Sequence, residues 1–250
     1  MLEGSTPPIE SWAHNGSVRL HHLRSGGEGA SQGTPVLFIP GMSQIADDFA
    51  GLMASLAPRG CVAATLRGRG RSDVPQSGYT LEDHVADIEA VVAQSGLGRF
   101  HLFAFSRGVA YALGYGVSHP DRLASLIIGD YPGHHSAISP EWVDAFLAST
   151  FQGKTARERM PEHAIRAIQR EARQILFWDD LARVNCPVLI LKGGAEGSLL
   201  PMDQAERYLR ALPDARLVVF DGFGHDLWAD GGIRLAETLK EFLAGAERDH

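Results

Sequence analysis

Apolar residues fall in short unbroken runs separated by stretches with helical spacing. The runs are PVLFIP (35–40), CVAATL (61–66), FHLFAF (100–105), LASLIIG (123–129), PVLIL (187–191) and ARLVVF (215–220). Runs of this length without polar alternation fit strands covered on both faces. Between them, Ile45, Phe49, Leu52, Met53 and Leu56 recur at helical spacing. Thr80 precedes a helical pattern over Leu81–Val92, with Asp83 three residues on, close to a capping box. A helix follows FHLFAF at once and runs through Tyr115, and two more are predicted near 202–212 and 231–245. Near the N-terminus, Asn15-Gly16 between two short runs signals a hairpin. The alternation predicts an α/β fold, a mostly parallel wound sheet of about eight strands with helices on both faces.

One stretch breaks the pattern. Residues 132–185 show helical spacing over Pro140–Ser149 and Pro161–Ile175, then a turn at Asp179–Arg183, and no strand. Such an insertion between two sheet strands is expected to pack over one edge as a small helical lid. The organisation expected is one catalytic domain, with core segments 1–131 and 186–250 and a lid at 132–185. GGEGASQG (26–33) reads as a surface loop.

Composition narrows the partners. The 250-residue chain has 23 Lys plus Arg against 30 Asp plus Glu, a formal net charge of −7. Nucleic-acid binding draws on a basic face that releases counterions, and the longest basic cluster is Arg67, Arg69 and Arg71. No apolar run approaches the roughly 20 residues that span a bilayer. The opening MLEGSTPPIESWAHNG has neither the basic nor the apolar region of a secretion signal. Two cysteines, Cys61 and Cys186, make neither a disulfide framework nor a four-ligand zinc site. The expectation is a cytoplasmic monomer or homodimer acting on a small molecule, with no nucleic acid, membrane span or metal.

In open parallel sheets ligands bind at the carboxyl ends of the strands, so the loops there are the ones to search. In FHLFAFSRGVAYALGYG, Ser106 falls between a strand and a helix, with Ala104 and Gly108 at minus two and plus two. A nucleophile on a sharp strand-to-helix turn needs small neighbours at both positions, because backbones cross there; Ala104 replaces the usual glycine. Taken alone, a serine at this point is also an ordinary N-cap. In FIPGMSQ, Gly41 ends a strand and the Met42 N–H would face the crevice. Together with the Arg107 N–H it would form an oxyanion hole. In FDGFGHDLW, His225 sits in a glycine-flanked loop leaving the same end of the sheet, where a general base is wanted.

These blocks resemble the α/β-hydrolase superfamily over about residues 14–245. The likeness is carried by PGMS (40–43), LRGRGRSD (66–73), GYTLEDHVADIEAVV (78–92), FSRG (105–108), HPDRLASLII (119–128), PVLILKGG (187–194) and GFGHDLW (222–228), in that order. The resemblance implies a Ser–acid–His triad without cofactor, with Ser106 as nucleophile, His225 as base, and Met42 and Arg107 as oxyanion donors. The acid departs from the family pattern. Counting three residues from Gly193 in KGGAEGSLLP reaches Glu196, the favoured candidate. Asp130 in IIGDYPG, at the end of the strand after the nucleophile helix, is the alternative. Relatives that open epoxides or remove halide carry an aspartate nucleophile, so Ser106 implies acyl transfer on an ester, lactone, thioester or amide. The same triad also serves carbon–carbon hydrolysis, acyl transfer to an alcohol and perhydrolysis. A non-catalytic receptor on this fold is the reading from another class.

Other features have plainer readings. Arg67, Arg69 and Arg71 lack any phosphate-loop pattern, and Arg67 is expected to tie loops together. His134-His135 has no Cys or carboxylate cluster to complete a metal site. In the lid, Trp142 and Phe146, with Trp178 nearby, are candidates for an apolar substrate pocket as well as for packing.

Overall fold

A computed structural model describes residues 7–26, 32–151 and 153–248. Most of the 26–33 loop and the first six residues lie outside them. The main sheet is built from β1 (Ile9–Asn15), β2 (Val18–Ser25), β3 (Val36–Ile39), β4 (Cys61–Ala64), β5 (Phe100–Phe105), β6 (Leu123–Gly129), β7 (Val188–Gly193) and β8 (Ala215–Phe220). Their order across the sheet is β1-β2-β4-β3-β5-β6-β7-β8. The first pair is an antiparallel hairpin whose turn is Gly16–Ser17, one residue beyond the Asn15-Gly16 signal because Asn15 still pairs with Val18, and β2 meets β4 antiparallel. All pairings from β4 to β8 are parallel.

The unbroken apolar runs divide between two cores with the period of a strand. On one face Leu37, Ile39, Leu102, Ala104, Leu126, Ile128 and Ile190 are buried together with the helices α2 (Leu81–Gln94) and α3 (Gly108–Ser118). On the other, Val36, Phe38, Phe103, Phe105, Ile127, Leu189 and Leu191 pack against the helices α1 (Ala50–Ser55) and α8 (Ile233–Ala246). The helix predicted from Ile45 begins as one 3-10 turn, Ala46–Phe49, before α1. Helix α2 starts with the capping box anticipated at Thr80 and Asp83.

Between β6 and β7 the chain leaves the sheet. The insertion contains α4 (Pro140–Ala148), α5 (Ala156–Arg159) and α6 (Glu162–Glu171). The helix expected over Pro161–Ile175 stops at Glu171, because Ile175 and Leu176 instead pair with His135 and His134 in a short antiparallel ladder. The insertion has its own cluster of Val143, Leu147, Ile165 and Ile168, and Met42 packs into it. It is stitched to the segments after β3 and β4. Arg159, buried, pairs with Asp48 and its carbonyl accepts from Gly70 N–H at 2.8 Å. Glu171 accepts from the amides of Gly78 and Tyr79 at 2.9 and 2.7 Å. Helix α7 (Met202–Ala211) completes the set between β7 and β8.

Candidate active site

The register sets the site. Ala104 pairs with Ile128 and Phe105 with Gly129, so β5 and β6 end side by side. The residues just past those ends are Ser106 and Asp130. Both adopt positive φ, 53° and 47°. Such a backbone costs about 1–2 kcal/mol for a residue with a side chain, and it turns each side chain sharply out of its strand. The turns are fixed by main-chain bonds. Ser106 N–H donates to Gly129 carbonyl at 2.8 Å, and Asp130 N–H to Leu191 carbonyl at 2.8 Å.

Small residues are a steric condition here. A Cβ on Gly108 would lie 2.3 Å from the Pro40 carbonyl oxygen, and one on Gly41 would lie 3.0 Å from Ser106 Cβ. The loop after β3 therefore crosses the Ser106 turn in contact with it, which brings Met42 beside Arg107. Among the described residues, neither the Met42 amide nor the Arg107 amide donates to a protein acceptor. The Met42 carbonyl is held by the fully buried Arg69, whose Nε–H reaches it at 2.7 Å.

His225 follows β8 and closes the constellation. Its Nε2 lies 2.9 Å from Ser106 Oγ and its Nδ1 lies 2.8 Å from Asp130 Oδ2. An ionised carboxylate only accepts, so Nδ1 carries the proton and Nε2 offers its lone pair to the serine hydroxyl. The ring lies over Phe105, with centroids 4.7 Å apart and planes 24° from parallel. Asp130 is fully buried, and burial alone would raise its pKa. The bonds from His225, Ser198 Oγ (2.6 Å), Gly193 N–H (3.0 Å) and Leu199 N–H (2.9 Å) outweigh that and hold it below the ordinary carboxylate value.

Of the candidates read from the sequence, Ser106, His225, Asp130 and the amides of Met42 and Arg107 come together at one rim. Glu196 does not join them: its side chain is exposed and bonds to none of them. The loop bearing it serves His225 through its backbone. Ala195 N–H donates to the Phe223 carbonyl at 2.8 Å, and a Cβ on Gly224 would stand 2.6 Å from the Glu196 carbonyl oxygen. The aromatic candidates separate too. Trp142 stacks on Phe146 at 4.7 Å on α4, Trp142 exposed and Phe146 half-buried against the insertion's own cluster. Trp178 is buried in the body instead, 5.0 Å from Tyr208 and in contact with Gly133. Phe151 of the insertion has its ring 6.1 Å from that of Phe105, and no periodicity marked it. Ser198 was missed as well; a small hydroxyl residue in the glycine-rich loop after β7 was its only signal. Arg67 ties loops as expected, gripping Asp87 at 2.6 Å and the Gly78 carbonyl at 2.6 Å.

A parallel-rich α/β sheet carrying a serine, a histidine and a buried aspartate at its carboxyl rim defines the class. The family model described as alpha/beta hydrolase fold matches residues 34–157. The chain is 25% identical over 251 residues to the AB hydrolase superfamily protein YisY of Bacillus subtilis, covering 86% of this chain and 93% of that protein. It is 26% identical over 243 residues to the N-formylmaleamate deformylase of Pseudomonas putida, covering 85% and 88%. The solved esterase of Exiguobacterium antarcticum superposes with a TM-score of 0.78 at 20% identity, covering 94% of this chain and all of that one. The chain has the α/β-hydrolase fold, and hydrolase is the activity class that these similarities support. No helix among the described residues is long and apolar enough to cross a membrane.

Proposed function

We propose that the protein is a serine hydrolase cleaving an ester, lactone or related acyl bond of a small organic substrate. The observation that carries this reading is the continuous hydrogen-bonded chain Ser106–His225–Asp130 beside two unengaged amides. Ser106 Oγ attacks the carbonyl carbon while His225 Nε2 takes its proton. Asp130 holds the Nδ1–H tautomer and stabilises the imidazolium that forms. The oxyanion is received by the amides of Met42 and Arg107, each worth about 3 kcal/mol in the transition state. Collapse breaks the bond to the leaving group, which takes the proton from His225. Water, deprotonated by His225, then attacks the acyl-serine and returns the hydroxyl. The insertion at 132–185 acts as a lid, with Trp142 on its exposed surface and Phe146 half-buried against its inner cluster.

The deformylase and the esterase among the similar proteins are named for cleavage of acyl bonds, which favours this reading. The test is a fluorophosphonate probe followed by peptide mapping, together with turnover of p-nitrophenyl esters. The adduct is expected on Ser106, and Ser106→Ala is expected to lose both labelling and at least about a thousandfold in kcat. Undiminished ester turnover by the alanine variant would refute the proposal.

A further inference from the structure

Two buried arginines, Arg107 next to Ser106 in the chain and Arg69 bound to the Met42 carbonyl, have no acidic partner. Elsewhere the buried arginines follow the usual rule that a buried charge is paired: Arg67 holds Asp87 and Arg159 holds Asp48. Arg107, only 4% exposed, instead gives Nε–H to the Tyr111 hydroxyl at 3.1 Å, and Nη2–H to His135 Nε2 at 2.7 Å and the Ser136 carbonyl at 3.2 Å. Arg69, fully buried, gives its bonds to the carbonyls of Met42 and Arg67, both at 2.7 Å, and to His84 Nε2 at 3.3 Å; its Nη2 has no partner. Neither guanidinium makes an ion pair among the described residues.

The surroundings add acceptors and little charge. His135 donates Nδ1–H to the Arg173 carbonyl at 2.8 Å, which leaves Nε2 as an acceptor. Burial and the neighbouring guanidiniums keep His84 and His135 neutral, the latter with a pKa lowered to about 4. The acids that act on this cluster do so from a distance. Asp87 is committed to Arg67 and Asn15, and Glu82 lies on the exposed side of α2. Positive charge therefore accumulates next to the nucleophile in a chain whose net charge is −7. A guanidinium kept from water among neutral partners costs several kcal/mol, and its planar fork matches a carboxylate. Of the Arg107 nitrogens, Nε and Nη2 are engaged, and Nη1 has no hydrogen-bond partner among the described residues.

We infer that Arg107 Nη1 receives a carboxylate of the substrate, so that the acyl compound opened at Ser106 is an anion such as a half-ester or half-amide of a dicarboxylic acid. This rests on Ser106 being the nucleophile proposed above. Arg107 would then serve twice, its amide towards the oxyanion and its side chain towards the charged end of the same molecule.

The test compares monomethyl glutarate with methyl pentanoate, in which a methyl replaces the carboxylate, together with the rate at which a fluorophosphonate labels Ser106. Wild-type kcat/KM is expected to favour the half-ester by roughly tenfold or more, the worth of one charge-assisted hydrogen bond. Arg107→Met should bring that ratio to about one. Millimolar glutarate should slow labelling of wild-type Ser106, and glutaramide should not; this arm holds even if the variant fails to fold. A wild-type ratio of one or below, a preference that survives in Arg107→Met, or equal effects of glutarate and glutaramide would overturn the inference while leaving the esterase reading intact. Failure of Ser106 to label at all would instead remove the reading beneath it.

Discussion

Replacing Asp130 by Asn tests the site most sharply, because the side chain keeps its shape and loses one acceptor. Oδ2 accepts from His225 Nδ1–H and Leu199 N–H, and Oδ1 from Gly193 N–H and Ser198 Oγ–H. Whichever way the amide is turned, its NH2 faces a main-chain N–H that has nowhere else to donate. With NH2 at the Oδ1 position, Gly193 N–H is left unpaired. With NH2 at the Oδ2 position, Leu199 N–H is left unpaired and His225 is driven to the tautomer in which Nε2 carries the proton. The orphaned donor should cost about 1–3 kcal/mol of stability. Loss of the imidazolium's counter-charge and of the working tautomer should cost on the order of 10⁴ in kcat, about 5.5 kcal/mol of barrier. Glu196→Gln alters an exposed side chain and should leave kcat within about twofold, as surface changes usually do. The assay is kcat on a p-nitrophenyl ester for both variants at neutral pH, with urea unfolding to place their stabilities. Asp130→Asn within tenfold of wild type, or Glu196→Gln falling as far, would refute the reasoning.

Gly108→Ala sets a methyl 2.3 Å from the Pro40 carbonyl oxygen, so it should lower both melting temperature and kcat, whereas Ala104→Gly should change kcat by less than about threefold. Circular-dichroism melts and ester turnover check the pair. Trp178→Ala should destabilise by about 3–5 kcal/mol in urea titrations, and Trp142→Ala, 42% exposed, by less than about 1 kcal/mol. His22, His101 and His135 are buried with pKa values lowered to about 4, chiefly by burial. An unfolded chain would protonate these rings near pH 6.5 while the folded one does not, so their contribution is whole above 6.5 and drains away as pH falls towards 4. By pH 5 the loss should be about 2 kcal/mol per ring. Urea midpoints that stay flat from pH 7 to 5 would contradict this.

The fold was readable because the central strands are apolar on both faces, and few other environments tolerate such runs as Phe100–Phe105 or Leu123–Gly129. The turn at Ser106 was readable for a steric reason, since small residues had to flank it. The position of the acid was not, because spacing along one loop says where a carboxylate falls in sequence and not which way it points. Glu196 has the family spacing, but its loop uses its main chain to grip the loop of His225 and leaves the side chain outside. Asp130 is decided by three donors from the end of β7 and the loop after it, more than 60 residues away along the chain. The aromatic residues of the insertion were legible as helical faces only, so periodicity could not tell that Trp178 packs on Tyr208 and not beside Trp142.

The chain order of the rim has an engineering consequence. Met42, Ser106, Arg107 and Asp130 all precede the insertion, and only His225 follows it. A graft that exchanges residues 132–185 for a foreign segment would thus leave Ser106, both amides and Asp130 untouched. It would, however, cut the moorings at Arg159 and Glu171 and the grip of His135 on Arg107. Chimaeras that transplant those three side chains with the new segment should keep a working rim, and those that omit them should fold with a slack one.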